Sequence, residues 1–376
     1  MLPFKDLSYW EKQEFIEQID VAIVGSGIVG MTTALALKRA HSDLKVVILE
    51  RGYLPTGAST KNAGFTCFGS PTELMDDLKS INEAEVWETV AMRYEGLKRL
   101  FELVPPNQMN YDACGSWDLL RDNQMLEPDF IAYLNQEIKR ITGQESCYRL
   151  DTDKIHSSGF TGFTSAYLNR LEGSIHTNLL VDQLHQRCVT AGVKFLYQTE
   201  VKAVEPNDSS VQLETSHGVI SGKKVVICTN GFAKQLLPVE VEPARAQVLV
   251  TSAIPNLKAR GTFHFDHGYY YFRNVGDRIL LGGGRNLDFH AENTVDMKPT
   301  EHIQEALISL LKTNILPAQT FHIEYQWAGT MGVGKTKQPL VKKLHKNLII
   351  GVRMGGMGVA IGSLIGEQLS KLTLNE

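Results

Sequence analysis

Residues 21–30 read VAIVGSGIVG, a short apolar run followed by glycines at positions 25, 27 and 30. The apolar run is typical of a buried strand. Residues 28–40 are rich in alanine, leucine and methionine and predict a helix. A second apolar run at 44–49 predicts another strand, which ends at Glu50. Strand, glycine turn, helix and strand form a βαβ unit, so the sequence predicts a parallel sheet.

The glycine spacing is that of a turn that binds a dinucleotide. Gly25 permits the tight bend, Gly27 lets the backbone approach a pyrophosphate at the positive helix end next to Ile28, and Gly30 allows close helix–strand packing. Glu50, twenty residues after Gly30, can accept hydrogen bonds from an adenosine ribose. This pattern leaves NAD and FAD open, whereas a carboxylate here argues against NADP because it would repel a 2′-phosphate.

The composition of the 376-residue chain excludes several classes of protein. The length suggests about two domains. A net charge of −4 argues against a general electrostatic grip on nucleic acid or anionic lipid. The five cysteines are scattered, which argues against a disulfide framework or a thiolate metal site. With no apolar stretch of signal-peptide length at the N-terminus, and with residues 348–369 interrupted by charges and glycines, the sequence predicts a cytoplasmic protein without a membrane span.

The histidines do not predict a metal site. Five of them are scattered without metal-binding spacing, and each is expected to be exposed or hydrogen-bonded within the core; they are His156, His176, His264, His267 and His290.

Residues 329–336 read GTMGVGKT and match the P-loop pattern of nucleoside triphosphate sites. A P-loop requires a helix that begins at its lysine and threonine. Pro339 lacks an amide and comes too late for a first-turn position, so we expect the match to be accidental. A nucleotide-binding module of this kind, and a nicotinamide dehydrogenase built on the first glycine turn, stay as alternatives that ATP or nicotinamide binding would reveal.

Six motifs taken together resemble the FAD-dependent oxidoreductases of the D-amino acid oxidase group, which includes glycine oxidase, sarcosine oxidase and D-amino acid dehydrogenases. The resemblance covers nearly the whole chain. After the first turn with Glu50-Arg51, the motifs are GASTKNAG at 57–64, the helix and strands leading through Val201 to VVICTNG at 225–231, PARAQ at 243–247, WAG at 327–329 and GGMG at 355–358.

The resemblance implies an α/β fold with a Rossmann-type FAD-binding domain and an interleaved, mostly antiparallel α+β substrate domain. We expect the FAD-binding domain at 18–80, 165–237 and 325–376, and the substrate domain at 81–164 and 238–324. The predicted FAD contacts are Gly25, Gly27, Ile28, Gly30, Glu50, Arg51, Ser59, Thr60, Asn62, Ala63, Gly64, Val201, Thr229, Gly231, Gly356, Met357 and Gly358. The flavin is expected to be non-covalent, because no cysteine lies near Met331 to match the attachment site of sarcosine oxidase.

Three residues are candidates for the substrate site. Tyr269 lines up with a substrate-pocket tyrosine of glycine oxidase, although an aromatic cross-strand cluster is an equal alternative. Arg285, after three glycines, is placed to clamp a carboxylate or to form a surface salt bridge. Arg353 belongs either to the site or to an ion pair with a carboxylate beneath it.

The chain also departs from the family at positions that bind substrate. Where glycine oxidase has two carboxylate-binding arginines, this chain has Met331 and Gly356. Either Arg285 or Arg353 replaces them, or the substrate lacks that carboxylate. Leu280 stands where sarcosine oxidase has a lysine thought to favour reaction with oxygen, so the electron acceptor is oxygen or another carrier such as a quinone.

The resemblance implies oxidation of the C–N bond of a small amine or amino acid. The expected steps are hydride transfer from the α-carbon to flavin N5 and hydrolysis of the imine. A family role on a modified tRNA base stays as an alternative, but the chain has no basic stripe and we predict no nucleic-acid partner.

Overall fold

The computed structural model describes residues 2–375. In chain order, the helices of this range are α1 (Tyr9–Glu11), α2 (Ile28–Ala40), α3 (Ala58–Lys61), α4 (Pro71–Ser80), α5 (Glu83–Leu103), α6 (Pro128–Thr142), α7 (Asp153–Ser158), α8 (Thr177–Thr190), α9 (Glu301–Leu310) and α10 (Gly358–Leu374).

Strands alternate with these helices in the first half of the chain and follow one another more closely in the second half. They are β1 (Ile19–Val24), β2 (Val46–Leu49), β3 (Phe65–Thr66), β4 (Ser116–Leu120), β5 (Tyr148–Leu150), β6 (Ser165–Asn169), β7 (Gly173–Ser174), β8 (Lys194–Leu196), β9 (Val201–Pro206), β10 (Val211–Thr215), β11 (Gly218–Ile227), β12 (Glu242–Thr251), β13 (Thr262–Phe265), β14 (Tyr270–Val275), β15 (Arg278–Gly283), β16 (Ile323–Val333), β17 (Leu340–His345) and β18 (Leu348–Val352).

The first sheet contains the predicted βαβ unit. Its order is β17-β18-β11-β1-β2-β8, and β9 and β10 form an antiparallel extension of β11. The five strands from β18 to β8 pair in parallel, with β1 in the middle between β11 and β2. Because β1 and β2 are buried on both faces, they read as continuous apolar runs in the sequence.

The second sheet is mostly antiparallel. Its order is β16-β12-β15-β14-β13-β4-β6-β5, and only the β13–β4 pair is parallel among the described strands. On one face, α9, the segment from α7 to Phe163 and the loop after β12 cover a core rich in phenylalanine. The other face turns towards the α3 loop, where Val248, Val250 and Leu280 pack with Ala63. The α/β fold class is therefore confirmed, with one Rossmann-type sheet and one mostly antiparallel sheet.

Three segments lie elsewhere than the predicted domain boundaries imply. Strand β6 pairs with β4 and β5 in the second sheet, although 165–237 is predicted to belong to the FAD-binding domain. Strand β16 likewise pairs with β12 in the second sheet, although it overlaps 325–376. Helix α5 packs through Val90 and Leu97 into the core of the first sheet, although 81–164 is predicted to belong to the substrate domain. The chain passes between the two sheets more often than the predicted domain boundaries imply. Those boundaries stay a prediction.

Candidate active site

A cavity of about 1060 Å³ opens where the carboxyl ends of β1 and β2 face the second sheet. It brings together most of the predicted site residues, which are far apart in the sequence. Those that line it are Gly25, Gly27, Ile28, Glu50, Arg51, Ser59, Asn62, Ala63, Gly64, Val201, Thr229, Tyr269, Arg285, Gly356, Met357 and Gly358. Gly30, Thr60, Gly231 and Arg353 are not among the lining residues.

The glycine turn between β1 and α2 leaves no room for side chains. A Cβ atom on Gly25 would lie 2.9 Å from the carbonyl oxygen of Cys228, and φ is +106° there. On Gly27 it would lie 2.8 Å from Ser59 Oγ. On Gly30 it would lie 2.0 Å from the carbonyl oxygen of Gly25, so Gly30 acts through packing and not through the cavity.

Glu50 holds the shape of this turn as well as lining the cavity. One carboxylate oxygen accepts hydrogen bonds from Ser26 Oγ at 2.6 Å and from the Ser26 amide at 3.2 Å. The other accepts from the Gly52 amide at 2.9 Å. A carboxylate oxygen has two lone pairs, so Glu50 keeps acceptor capacity for a hydroxyl in the cavity.

The loop at 57–64 is organised by its own polar side chains. Asn62 donates to the carbonyl oxygens of Ala58 and Ser59 and accepts from the Gly64 amide at 2.8 Å. The Thr60 hydroxyl donates to the carbonyl of Pro55 at 2.8 Å, and Thr60 is not among the lining residues. Its hydroxyl completes a local turn, and its predicted contact with the cofactor stays a prediction. Ser59 accepts from the Ile28 amide at 3.0 Å and ties this loop to the start of α2.

Two helix N-termini face the same cavity. Helix α2 begins at Ile28, and α10 begins at Gly358, after Gly356 with φ of +83°. Their first amides lack partners within the helix, and both ends carry partial positive charge. The cavity can therefore stabilise negative charge at two separate places.

Arg51, Val201 and Thr229 complete the nucleotide end of the cavity. The Arg51 guanidinium stacks on the Phe232 ring at 3.8 Å, and the Thr229 hydroxyl is buried without a partner among the described residues. A Cβ on Gly231 would lie 2.3 Å from the carbonyl oxygen of Met331, so this glycine lets β16 pass closely. Gly231 does not line the cavity, and its predicted contact with FAD stays a prediction.

The other end of the cavity is formed by the second sheet. Tyr271 lies opposite Gly282, where a Cβ would lie 2.5 Å from its ring, and burial raises the pKa of Tyr271 to about 12. Tyr269 is on the same face and 41% exposed. Arg285 follows β15 in a short 3-10 turn, and its guanidinium lies 4.9 Å from the centre of the Phe289 ring.

Arg285 is a cation without a partner. Its buried Nε has no hydrogen-bond acceptor among residues 2–375. Burial lowers the pKa of the guanidinium, while the charges of Tyr269 and Glu292 act in the opposite direction. Glu292 is itself paired with Arg245 at 2.7 Å, so it leaves Arg285 uncompensated. The alternative of a surface salt bridge is therefore not formed among the described residues, which leaves Arg285 available to an anion.

Arg353 lies outside the cavity, contrary to the prediction that it belongs to the site. Its φ of +67° turns the side chain towards the loop after β16, where Nε donates to the carbonyl of Gln338 at 2.9 Å. Nη1 donates to the carbonyl of Glu240 at 3.3 Å. Both acceptors are backbone carbonyls, so the alternative of a buried carboxylate partner is also wrong. Arg353 fixes the loop that closes one side of the cavity.

Residues 329–336, which match the P-loop sequence pattern, do not adopt the structure of a P-loop. Residues 329–333 belong to β16, and the chain after Lys335 and Thr336 enters β17 instead of a helix. The match is therefore accidental, as expected. Lys335, Thr336 and Lys337 nevertheless line the cavity.

A charged cluster at the wall of the cavity was missed by the sequence reasoning. Lys337 Nζ lies 2.9 Å from Glu73 Oε1 and 2.7 Å from Asp77 Oδ1, and Arg93 Nη1 lies 3.3 Å from Glu73 Oε1. Burial alone would raise the pKa of Glu73, but the charges of Lys337 and Arg93 lower it to about 2. No local motif marks these residues, because they come from α4, α5 and a distant loop.

His264 and Cys67 also line the cavity unpredicted. His264 packs edge-on against Phe65 at 5.0 Å, opposite Tyr271 in the β13–β14 register, and its Nε2 is buried without a partner. Burial lowers the pKa of His264 to about 4, so the ring is neutral at pH 7. The sequence-based expectation of an exposed or hydrogen-bonded histidine is wrong here. The Cys67 sulfur lies 3.9 Å from that of Met357, and burial raises the pKa of its thiol, which makes it a poor nucleophile.

A buried carboxyl holds the segment that leads from the cavity into α4, and it makes stability depend on pH. Glu172 accepts from the amides of Phe68 at 2.8 Å and Gly69 at 3.1 Å. Burial raises its pKa to about 7, although these hydrogen bonds oppose the shift. The folded protein therefore binds a proton that the unfolded chain loses above about pH 4.5. The contribution of Glu172 to stability is present below about pH 4.5 and is lost as the pH rises to about 7.

We expect Glu172→Gln to remove this dependence. Relative to the variant, the wild type should lose about 3 kcal/mol of unfolding free energy between pH 4.5 and 7. Urea unfolding at several pH values measures the difference, and Glu88→Gln, at an exposed position on α5, is the control. A constant difference between the wild type and Glu172→Gln across this range would contradict the prediction.

Comparison with known proteins identifies the family. Residues 20–372 match the family model described as FAD dependent oxidoreductase (DAO), and the chain belongs to this family. It is 20% identical to the probable oxidoreductase OrdL of Haemophilus influenzae, over 96% of this chain and 84% of that protein. It is 21% identical to the gamma-glutamylputrescine oxidoreductase of Escherichia coli, over 94% and 83%. The glycine oxidase of Geobacillus kaustophilus superposes with a TM-score of 0.76 at 19% identity, and 95% of each chain is covered.

The residues present fit the FAD that this family uses. The glycine turn is closed to side chains at Gly25 and Gly27, Thr229 has an unpartnered hydroxyl, and two helix N-termini face the cavity. The predictions of family, enzyme class and FAD as cofactor are thus confirmed, whereas non-covalent attachment and the individual contacts stay predictions. Within residues 2–375, no helix has both the length and the apolar character needed to cross a bilayer.

Proposed function

We propose that this chain oxidises the C–N bond of a small amine or amino acid that carries a carboxylate. The observation that carries the proposal is the half-buried Arg285 guanidinium, which lines the cavity without an acceptor of its own. A cation in such a position is costly unless a ligand supplies the anion, and its planar fork suits a carboxylate. Glycine oxidase and gamma-glutamylputrescine oxidoreductase, named for an amino acid and an amine derivative, support this class of substrate.

When bound, the flavin would accept the hydrogen and electron pair of the α-C–H bond, which turns the C–N bond into an imine. The side chains of this chain then have three tasks. Arg285 binds the carboxylate and fixes one end of the substrate. Tyr271 and Phe65, whose rings meet edge-on at 5.9 Å, present an apolar wall that excludes water. Neutral His264 adds no positive charge beside the substrate, which favours the uncharged form of the amine.

The electron acceptor is not fixed by these contacts. Leu280 lies in the apolar cluster with Ala63, Val248 and Val250, so no charged side chain occupies its position. Oxygen and a carrier such as a quinone therefore stay as the two proposed acceptors.

The proposal is tested with the purified flavoprotein under anaerobic conditions. A panel of amines and amino acids is added, and loss of the visible flavin absorbance identifies substrates. Reduction by amino acids or N-substituted amino acids, and not by matched amines without a carboxylate, is the expected result. Reduction by the amines alone would overturn the role of Arg285.

We expect Arg285→Leu to raise KM for the carboxylate substrate by about 10- to 100-fold, because a charge-assisted hydrogen bond is lost. Arg285→Lys should recover part of the loss, since it restores the charge but not the fork. Arg260→Leu is the contrast: Arg260 is exposed and does not line the cavity, so its loss should leave KM unchanged. Equal KM values for the wild type and Arg285→Leu would remove Arg285 from the site.

A further inference from the structure

Three partly exposed apolar side chains lie next to the mouth of the cavity, where Tyr269 lines it together with Arg285 and Phe289 packs against both. Tyr269, Leu287 and Phe289 are 41%, 44% and 45% exposed, and we call these three residues the apolar rim. All three come from the two turns at the same end of β14 and β15. Single exposed apolar residues are ordinary, but a group of three beside an unpaired cation is typical of a binding surface.

The apolar rim is a built structure. The Tyr269 and Phe289 rings meet edge-on with centres 5.8 Å apart, and Arg285 lies over the Phe289 ring at 4.9 Å. The Gly284 amide donates to the carbonyl of Tyr269 at 3.2 Å and joins the two turns. Beyond Phe289, Glu292 is anchored to Arg245. The rim is therefore held in place while its apolar surface stays in water.

The unpaired guanidinium and the apolar rim are explained together by a single ligand. Arg285 has unused donors for a carboxylate, and the apolar rim has unused surface beside those donors. A small acid such as glycine would satisfy the guanidinium and leave the rim exposed. A ligand with an apolar group next to its carboxylate would satisfy both.

We propose that the substrate is a carboxylate with a bulky apolar or aromatic group, which packs on the apolar rim while Arg285 binds the carboxylate. This inference rests on the proposed function and specifies its substrate class. A partner protein is the alternative occupant of the rim. If the rim binds a protein, the affinity of the cavity for a small acid should not depend on the size of that acid.

Calorimetric titration of the flavin-loaded protein with acetate and phenylacetate tests the inference. The two probes share the carboxylate and differ in one aromatic ring. Phenylacetate should bind roughly tenfold or more tightly than acetate, because the ring leaves water on the rim. In Phe289→Ala this ratio should fall towards one while acetate affinity changes little. Tyr269→Ala is a second rim variant, with the same expected direction.

Tyr325→Ala is the matched control, because Tyr325 is an aromatic residue 58% exposed on β16, which β12 separates from β15 and the rim. It should leave the ratio unchanged. Equal affinities for the two acids in the wild type, or an unchanged ratio in both rim variants, would overturn the inference. If both acids bind equally and Arg285→Leu abolishes the binding of both, the carboxylate site of the proposed function is supported and the role of the rim is not. If neither acid binds, the carboxylate site and the rim both fail.

Discussion

Gly30→Ala should yield a protein that retains no flavin and unfolds at a much lower denaturant concentration. A Cβ at this position would lie 2.0 Å from the carbonyl oxygen of Gly25, a distance that no side-chain movement can relieve because both atoms belong to the backbone framework. The start of α2 must move away from β1, which destroys the turn that Glu50 and Ser26 stabilise. We expect a loss of about 3 kcal/mol in the free energy of unfolding.

Flavin content per protein after purification and the urea midpoint measure the two effects. Gly57→Ala is the matched control, since Gly57 lines the same cavity, has an ordinary φ of −79° and has no atom within 4 Å of an added Cβ. Its urea midpoint should match that of the wild type. A yellow, stable Gly30→Ala protein would show that the turn tolerates more displacement than its geometry implies.

The nucleotide end of the site was predictable because its signals are local. The strand β1, the turn and α2 lie within 22 residues, and Gly25 and Gly30 are required by close backbone approaches while Gly27 leaves room for Ser59. Segment 105–175 could not be read in the same way. Its short strands β4, β5 and β6 owe their existence to pairing with one another and with β13, which lies some 150 residues away in sequence.

The substrate end was predictable only in part. Arg285 and Arg353 both follow glycine-rich or apolar strands, and the sequence does not distinguish them. The difference is set by backbone direction, because φ of +67° at Arg353 turns its side chain to the carbonyl of Gln338. His264 and Glu73 reach the cavity through the β13–β14 pairing and the position of α4, and neither is marked by a motif.

Two side chains of the PARAQ motif have a structural role. Arg245 donates from Nε at 2.9 Å and Nη2 at 2.7 Å to the two oxygens of Glu292, and both side chains are almost fully buried. Gln247 donates to the same carboxylate at 3.0 Å. These bonds fasten the segment 285–292, which contains Arg285 and Phe289, to β12. The side chains of Arg245 and Gln247 thus position the mouth of the cavity without lining it, whereas Ala246 between them is a lining residue.

Arg245→Leu should therefore be among the most damaging substitutions in the second sheet. It leaves the Glu292 carboxylate buried with only Gln247 as a side-chain donor, which should cost about 3–5 kcal/mol in the free energy of unfolding. Adding Glu292→Leu should recover much of this loss, since a buried apolar pair avoids the uncompensated charge.

Urea unfolding of the single and double variants measures the coupling between the two residues. Arg260→Leu breaks an exposed pair with Asp277 at 2.6 Å and should cost no more than about 1 kcal/mol. Because Arg245 holds the segment that contains Arg285, the double variant should regain stability yet keep a raised KM for a carboxylate substrate. Full recovery of both stability and KM would mean that the hydrogen bonds to Glu292 contribute nothing to the position of Arg285.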